Sequence, residues 1–405
     1  MVNEKITDKT TSYSVNIAGG KVESLRVNED LKTVIRAYDG GNVGIAGKIG
    51  ECDEAELLKE AKENLAQNIA YPEEFQKPLK RHVNVCKEII PAEKFVSRIK
   101  RLVERLSKTY PDFIFSNKIN MTEEEIAYTN SLGTDFLHVS NLLEFAIVIK
   151  AKNSANIMDL DYCLAQTYFD EDKIVSDIGV LLGAYGTFCE LPENAPVIIN
   201  QSVISMFLTH MVAEMYQSGA SLLNGKLGTE IFNKKFNMYS DRTPGNRQTV
   251  PFFDSEGTVV DGDKFYFVKD GVFTGLATYK RSAKNFNLPL SGGGYSEFDA
   301  VPMASFVGVT AGETAQKVSD IVKGKAIYVS CTSGGDMTPD GTLGIPVQLA
   351  YLYEDGKLLG KLPEFSLTAS VFDVLGKDFA GIALNDVFKY NDEKVIVSKF
   401  QINKG

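Results

Sequence analysis

The stretch PFFDSEGTVVDGDKFYFVKDGVFTG, Pro251 to Gly275, decides the fold. Three turn signals, Ser255-Glu256-Gly257, Asp261-Gly262 and Asp270-Gly271, cut it into apolar runs too short for helices. The same texture continues through Gly292 to Gly294, Asp340-Gly341 and Asp355-Gly356, so everything beyond residue 245 predicts an antiparallel sheet or barrel. Just upstream, Ala195-Pro196-Val197-Ile198-Ile199 predicts a short buried strand. Residues 202–224 predict a helix carrying Val203, Phe207, Met211, Met215 and Leu222.

Working towards the amino terminus, residues 20–50 predict a strand meander. Leu31, Thr33 and Ile35 alternate, Tyr38-Asp39-Gly40-Gly41-Asn42 turns, and Val43-Gly44-Ile45-Ala46 returns. Asp53 with Glu56 has the spacing of a capping box, and Leu57, Leu58, Ala61, Leu65 and Ile69 follow at helical period until Pro72. A second amphipathic helix is expected from Pro91, with Phe95, Ile99, Leu102 and Leu106 on one stripe and Tyr110-Pro111 at its end. Residues 112–150 predict strands around the Asn130-Ser131-Leu132-Gly133 turn, and 158–188 predict helix. The expected fold class is α+β, with a mixed α/β region over 1–190 and a β-rich domain over 191–405. Without a repeat or a flexible linker, the two halves are expected to pack together.

Composition narrows the chemistry. The 405 residues hold 43 Lys and Arg against 53 Asp and Glu, a net charge of −10, which argues against direct binding to nucleic acid or an anionic membrane. The opening MVNEKITDKTTSYSV lacks an apolar secretory stretch and no later run reaches membrane-spanning length, so a soluble cytoplasmic protein is expected. Five scattered cysteines form no C-x-x-C pair and are expected to be reduced and mostly buried.

Several motifs fail on inspection. Gly47-Lys48 lacks both the first glycine and the following hydroxyl of a phosphate loop. Asp336 to Gly341 opens like a calcium loop, but Val347 stands where the bidentate carboxylate belongs. His210 and Glu214 are four apart, so on a helix they share a face and could contact each other or a common ligand. With three histidines in the chain and no second one on this helix, a hydrogen-bonded pair is favoured over a metal site.

Taken together, the segments resemble the TldD/PmbA family, known as modulators of DNA gyrase or metalloprotease-associated proteins. The resemblance rests on Val34 to Gly40 with Gly44 and Ala46, on Asn130 to Gly133, on Phe253 to Gly257 followed by Val268 to Gly275, on Tyr279 to Leu288, and on Gly334 to Gly341 with Tyr353 to Lys357. It implies a two-subunit peptidase acting on unfolded or leader peptides. The TldD-like subunit carries zinc on H-E-x-x-x-H plus a later Cys; the TldE (PmbA) subunit lacks them. Here the position reads His210-Met211-Val212-Ala213-Glu214-Met215, and no Cys follows Cys331.

The resemblance therefore implies the TldE/PmbA side: no metal, no cofactor, no catalysis by this chain alone, and His210 and Glu214 as peptide-binding candidates. The implied partners are a TldD-like metalloprotease subunit in a heterodimer, or a second copy in a homodimer, and an extended peptide. A stand-alone peptide-binding scaffold, and a hydrolase using an unrecognised site around His210, Glu214 and Cys331, are the other two readings.

Overall fold

The computed structural model describes residues 1–246 and 249–404. Strands β1 (Val2–Ala18) and β2 (Lys21–Asp39) form a long hairpin closed by Gly19-Gly20. β3 (Asn42–Ile49) returns through Gly40-Gly41, whose φ of 58° and 78° a side chain would resist. The predicted meander is thus present, with β1 added before it. The polar β1 escaped prediction because it lies between β2 and β6, fixed by backbone pairing on both edges.

Helix α1 (Glu54–Glu63) is capped by the Asp53 carboxylate, which accepts the N–H groups of Ala55 and Glu56. It stops before the predicted Ile69 because a 3-10 turn and a left-handed Asn68 intervene, and β4 (Ile69–Ala70) takes that place. After β5 (Lys80–Asn84) comes α2 (Phe95–Thr109), which buries the predicted Phe95, Ile99, Leu102 and Leu106. β6 (Phe113–Asn130) and β7 (Asp135–Ala151) meet at the predicted turn, where the Asn130 side chain accepts from Leu132 and Thr134.

The helix expected over 158–188 is corrected. β8 (Leu160–Gln166) comes first, and α3 (Glu171–Tyr185) begins only after Asp170 accepts the Lys173 N–H. Leu160, Tyr162, Leu164 and Gln166 alternate inward against β7, and that period of two outweighs the helical pattern. The sheet order is β4-β3-β2-β1-β6-β7-β5, with β8 also on β7.

In the carboxy-terminal part, β9 (Val197–Asn200) leads into a 3-10 helix, Gln201–Met211, and then α4 (Ala213–Gln217). The continuous helix expected over 202–224 is therefore broken. Val212 is extended and bridges Ala277; the Ala213 N–H donates to Ala277 O, and the Ala277 N–H to Met211 O. A strand-like bridge occupies the very groups that would carry the helix through.

Beyond it, β10 (Met238–Asp241), β11 (Lys264–Lys269) and β12 (Val272–Phe273) precede α5 (Lys280–Phe286). β13 (Gly294–Tyr295) and β14 (Met303–Ala304) pair, and β15 (Val309–Ala311) joins β10. After α6 (Val318–Ile321), a nine-stranded sheet forms from β9, β16 (Lys325–Thr332), β17 (Asp336–Met337), β18 (Thr342–Glu354), β19 (Lys357–Lys361), β20 (Phe365–Ser370), β21 (Phe379–Leu384), β22 (Lys394–Ser398) and β23 (Gln401–Lys404). The short helix α7 (Val371–Val374) follows β20. The fold is α+β.

The largest core is shared. Val15, Phe95 and Phe145 from the first sheet and its helix meet Ile174 and Ile178 of α3, and the same cluster includes Tyr351, Tyr353 and Val397. Packing, not a linker, joins the halves. Among the described residues no helix is long and apolar enough to cross a membrane.

Candidate functional site

Two features join the amino-terminal sheet to the carboxy-terminal half: a buried ionic tie and a cleft. The tie centres on the loop Asp254-Ser255-Glu256-Gly257. Asp254 Oδ1 accepts the N–H groups of Glu256 and Thr258, at 2.9 and 2.8 Å, and Oδ2 accepts the Gly294 N–H at 2.8 Å. Gly257 has φ +70°, and a Cβ there would lie 2.2 Å from the Tyr128 ring, so only glycine fits.

The chain's first strand completes the network. Glu4 accepts Lys280 Nζ at 2.8 Å, Tyr128 OH at 2.7 Å and Tyr38 OH at 2.8 Å, with Arg36 at 3.6 Å. Arg36 in turn donates to Ser255 O at 2.7 Å and to Ser296 Oγ, while Glu256 accepts from the Tyr71 hydroxyl and the Lys280 N–H. Glu4, Arg36, Glu256 and Lys280 are all buried.

Burial alone would raise Glu4, but Lys280 and Arg36 outweigh it and hold the carboxyl below its ordinary value. Burial, and then the neighbouring Asp254, push Glu256 up to about 7. None of these four residues lines the three cavities described next; through Arg36 and Glu256 the network holds the loop in place.

The cleft runs along the 3-10 helix and is lined by residues of β7, β8, β9, β16, β21 and β22. Asn200 starts it: Oδ1 accepts the Ser202 N–H at 2.8 Å, and Nδ2 donates to Glu393 at 2.7 Å. With three residues per turn, Ser202, Ser205 and Leu208 stack on one face, and all three line a cavity of about 700 Å³. Its apolar floor includes Leu142, Ala165, Ile204, Val309 and Leu384. Carboxylates stand around it: Glu313 pairs with Lys394 at 3.4 Å, and Asp241 with Lys264 at 3.3 Å.

A second cavity of about 520 Å³ shares Asn200, Ser202 and Ser205 and extends past Val329 to Thr332. A smaller one of about 110 Å³ lies between Asp161 to Cys163 of β8 and Tyr328 to Ser330 of β16. Two strand edges therefore face the cleft. β8 pairs with β7 alone, and β9 pairs with β16 only at Ile327 and Tyr328, leaving 329–332 beyond it with no strand on that side among the described residues.

Neither thiol at the cleft wall is activated as a nucleophile. Partial burial, and then Asp161, push the Cys163 thiol up to about 12 and the Cys331 thiol up to about 11, so both stay protonated at neutral pH. All five cysteines are free, as expected, but Cys86 and Cys163 are exposed and the other three only half-buried, which corrects the expectation of mostly buried thiols. Strands β8 and β16 carry theirs at the cleft wall.

The sequence candidates lie elsewhere. His210 and Glu214 are absent from the linings of all three cavities. The break at Val212 removes the shared helical face expected for them. Instead, His210 Nδ1 accepts the Leu222 N–H at 3.2 Å, and burial lowers its basicity. Glu214 Oε2 is buried without a hydrogen-bond partner, and its carboxylate lies by the Tyr279 phenol. What the sequence reading missed, the Ser202-Ser205-Leu208 stripe, had a signal in its period of three.

Models of the PmbA/TldA metallopeptidase family match domain 1 over residues 8–68 and the C-terminal domain over residues 192–402. The chain belongs to that family. An uncharacterised protein of Methanocaldococcus jannaschii is 21% identical over 397 residues, spanning 94% of this chain and 90% of its own. TldE from Thermococcus kodakarensis has the same fold, with a TM-score of 0.82 at 16% identity over 100% of this chain and 97% of its own. A candidate modulator of a DNA gyrase from Thermotoga maritima superposes with a TM-score of 0.73 at 16% identity, covering 99% of this chain and 96% of its own.

The family's name implies a metal, and the donors around His210 do not fit one. Met211 and Met215 stand beside His210, whose Nδ1 is already engaged. Among the described residues no group of three His, Cys, Asp or Glu is placed to hold an ion.

Proposed function

We propose that this PmbA/TldA-family chain is the peptide-holding, noncatalytic subunit of a cytoplasmic two-subunit peptidase. A TldD-like metallopeptidase supplies the cleavage, and unfolded or leader peptides are the substrates. The observation that carries the reading is the cleft. Its two larger cavities fall in the size range of ligand sites, and it is bordered by strand edges to which an extended chain can add.

Strand addition supplies affinity through the backbone and leaves side chains to alternate between the walls. That suits a subunit handling peptides of varied sequence. His210 and Glu214 enter the proposal at the end of the 3-10 helix beyond Leu208. There the Glu214 carboxyl, beside the Tyr279 phenol, is the group proposed to meet a peptide leaving the cleft.

Amide hydrogen exchange tests the placement. On saturation with an unstructured ten-residue peptide, the amides of Val329 to Thr332 and of β8 are expected to slow. Unchanged exchange in both segments at saturation contradicts it.

A further inference from the structure

We infer that Cys163 and Cys331 are a disulfide site, whose bridge staples β8 to β16 and closes that part of the cleft to an extended peptide. The bridge is independent of the peptide-holding reading; its effect on binding rests on that reading.

Asp161 and Cys163 are two residues apart on β8, so both side chains leave the face opposite Tyr162 and Leu164, which are buried in the core. That face looks into the cleft. Across the cavity of about 110 Å³, Cys163 stands opposite Tyr328 to Ser330 of β16. Cys331 follows where two shifts in the β16–β18 register interrupt the ladder, and bulges of this kind re-aim a side chain. The Asp161 carboxyl lines both this cavity and the one that Cys331 lines, and it takes hydrogen bonds from both thiols. One carboxyl thus brings the two sulfurs into one neighbourhood.

The oxidant is a low-molecular-weight disulfide, oxidised glutathione, and Cys163 is exposed to it. One thiol loses its proton and attacks a glutathione sulfur; the glutathione S–S bond breaks and one reduced glutathione leaves. The second thiol, deprotonated in turn, attacks the mixed disulfide and releases the other glutathione. Two cysteine S–H bonds are lost, one S–S bond forms, and the two protons and two electrons end on the two glutathiones. Burial, and then Asp161, oppose both thiolates, so the exchange is slow at neutral pH. The same opposition favours the product, because the disulfides that are easily reduced are those whose thiolates are stabilised.

A disulfide sets its two Cα atoms about 5.5 Å apart. A peptide strand inserted between two strand edges needs two gaps of about 4.8 Å. With the bridge in place, β8 and residues 329–332 leave no room for one.

The test incubates the reduced full chain with oxidised glutathione at mildly alkaline pH. Mass spectrometry of a non-reduced digest is expected to find Cys163 linked to Cys331, in a chain lighter by two hydrogens and free of glutathione. Fluorescence polarisation with a fluorescein-labelled unstructured decapeptide is expected to show affinity falling about tenfold on oxidation and recovering with dithiothreitol. Cys163→Ser and Cys331→Ser should each lose the link and make binding indifferent to the oxidant.

Glutathione adducts without a Cys163 to Cys331 link overturn the inference and leave the peptide-holding reading standing. A link that leaves peptide affinity unchanged overturns the closure. Failure of the reduced chain to bind peptide overturns the peptide-holding reading, while the mass of the digest still decides the bridge.

Discussion

Replacing Asp177 with alanine is expected to cost the full chain about 3–6 kcal/mol of unfolding free energy, the sum of several buried donors left without an acceptor. Asp177 is completely buried on α3. Its carboxylate accepts the N–H groups of Lys389, Tyr390 and Asn391, at 2.6, 2.8 and 3.0 Å, and the Tyr162 hydroxyl at 3.2 Å. One side chain of the amino-terminal half thereby folds the segment that carries Asp392 and Glu393 to the cleft. Asp177→Asn keeps one oxygen and is expected to fall between wild type and Asp177→Ala in urea denaturation. An unchanged midpoint for Asp177→Ala would mean that water or another side chain replaces the carboxylate.

The second large effect is expected from Glu4. Glu4→Gln leaves Lys280 and Arg36 buried without their carboxylate, a loss of about 3–5 kcal/mol by the usual cost of breaking one side of a buried ion pair. Adding Lys280→Met removes the orphaned ammonium and should restore part of the loss, which a double-mutant cycle measures directly. Non-additivity is the signature; two simply additive losses would contradict a coupled tie.

The pH dependence has a defined sign. Glu4 is depressed in the folded chain, so its contribution is present above the ordinary carboxylate range and is lost as pH falls through the folded value. Glu256 is raised to about 7, so its contribution is full below the ordinary carboxylate range and is lost as pH rises towards 7. The two slopes oppose each other. Glu4→Gln should therefore remove the share of the acid-side loss that Glu4 contributes and leave the fall towards neutrality.

Much of the architecture could be read from local sequence. Gly40-Gly41 and Asp270-Gly271 demand left-handed turns, and the Phe95, Ile99, Leu102 and Leu106 stripe has a helical period, so these features declared themselves. The family motif around Asp254 to Gly257 was equally plain. Its physical role was not, because Glu4 meets Lys280 across 276 residues and no local pattern encodes that meeting. The 202–224 segment misled for the same reason: the Ala277 bridge that breaks it lies far along the chain. The cleft shares this limit, with walls drawn from Leu142 through Lys394, so only folding brings its floor and its carboxylates together.

The central claim is that this chain contributes peptide holding to a peptidase whose metal chemistry lies in a partner. It is tested most directly by adding the purified chain to a purified TldD-like metallopeptidase and following cleavage of an unstructured peptide. The account predicts no cleavage by this chain alone and a rise in the partner's rate that saturates at a fixed stoichiometry. That rise should be abolished by chelator and weakened by Leu208→Trp. Cleavage by the chain alone that survives chelator, or a partner rate indifferent to its addition, would contradict the account.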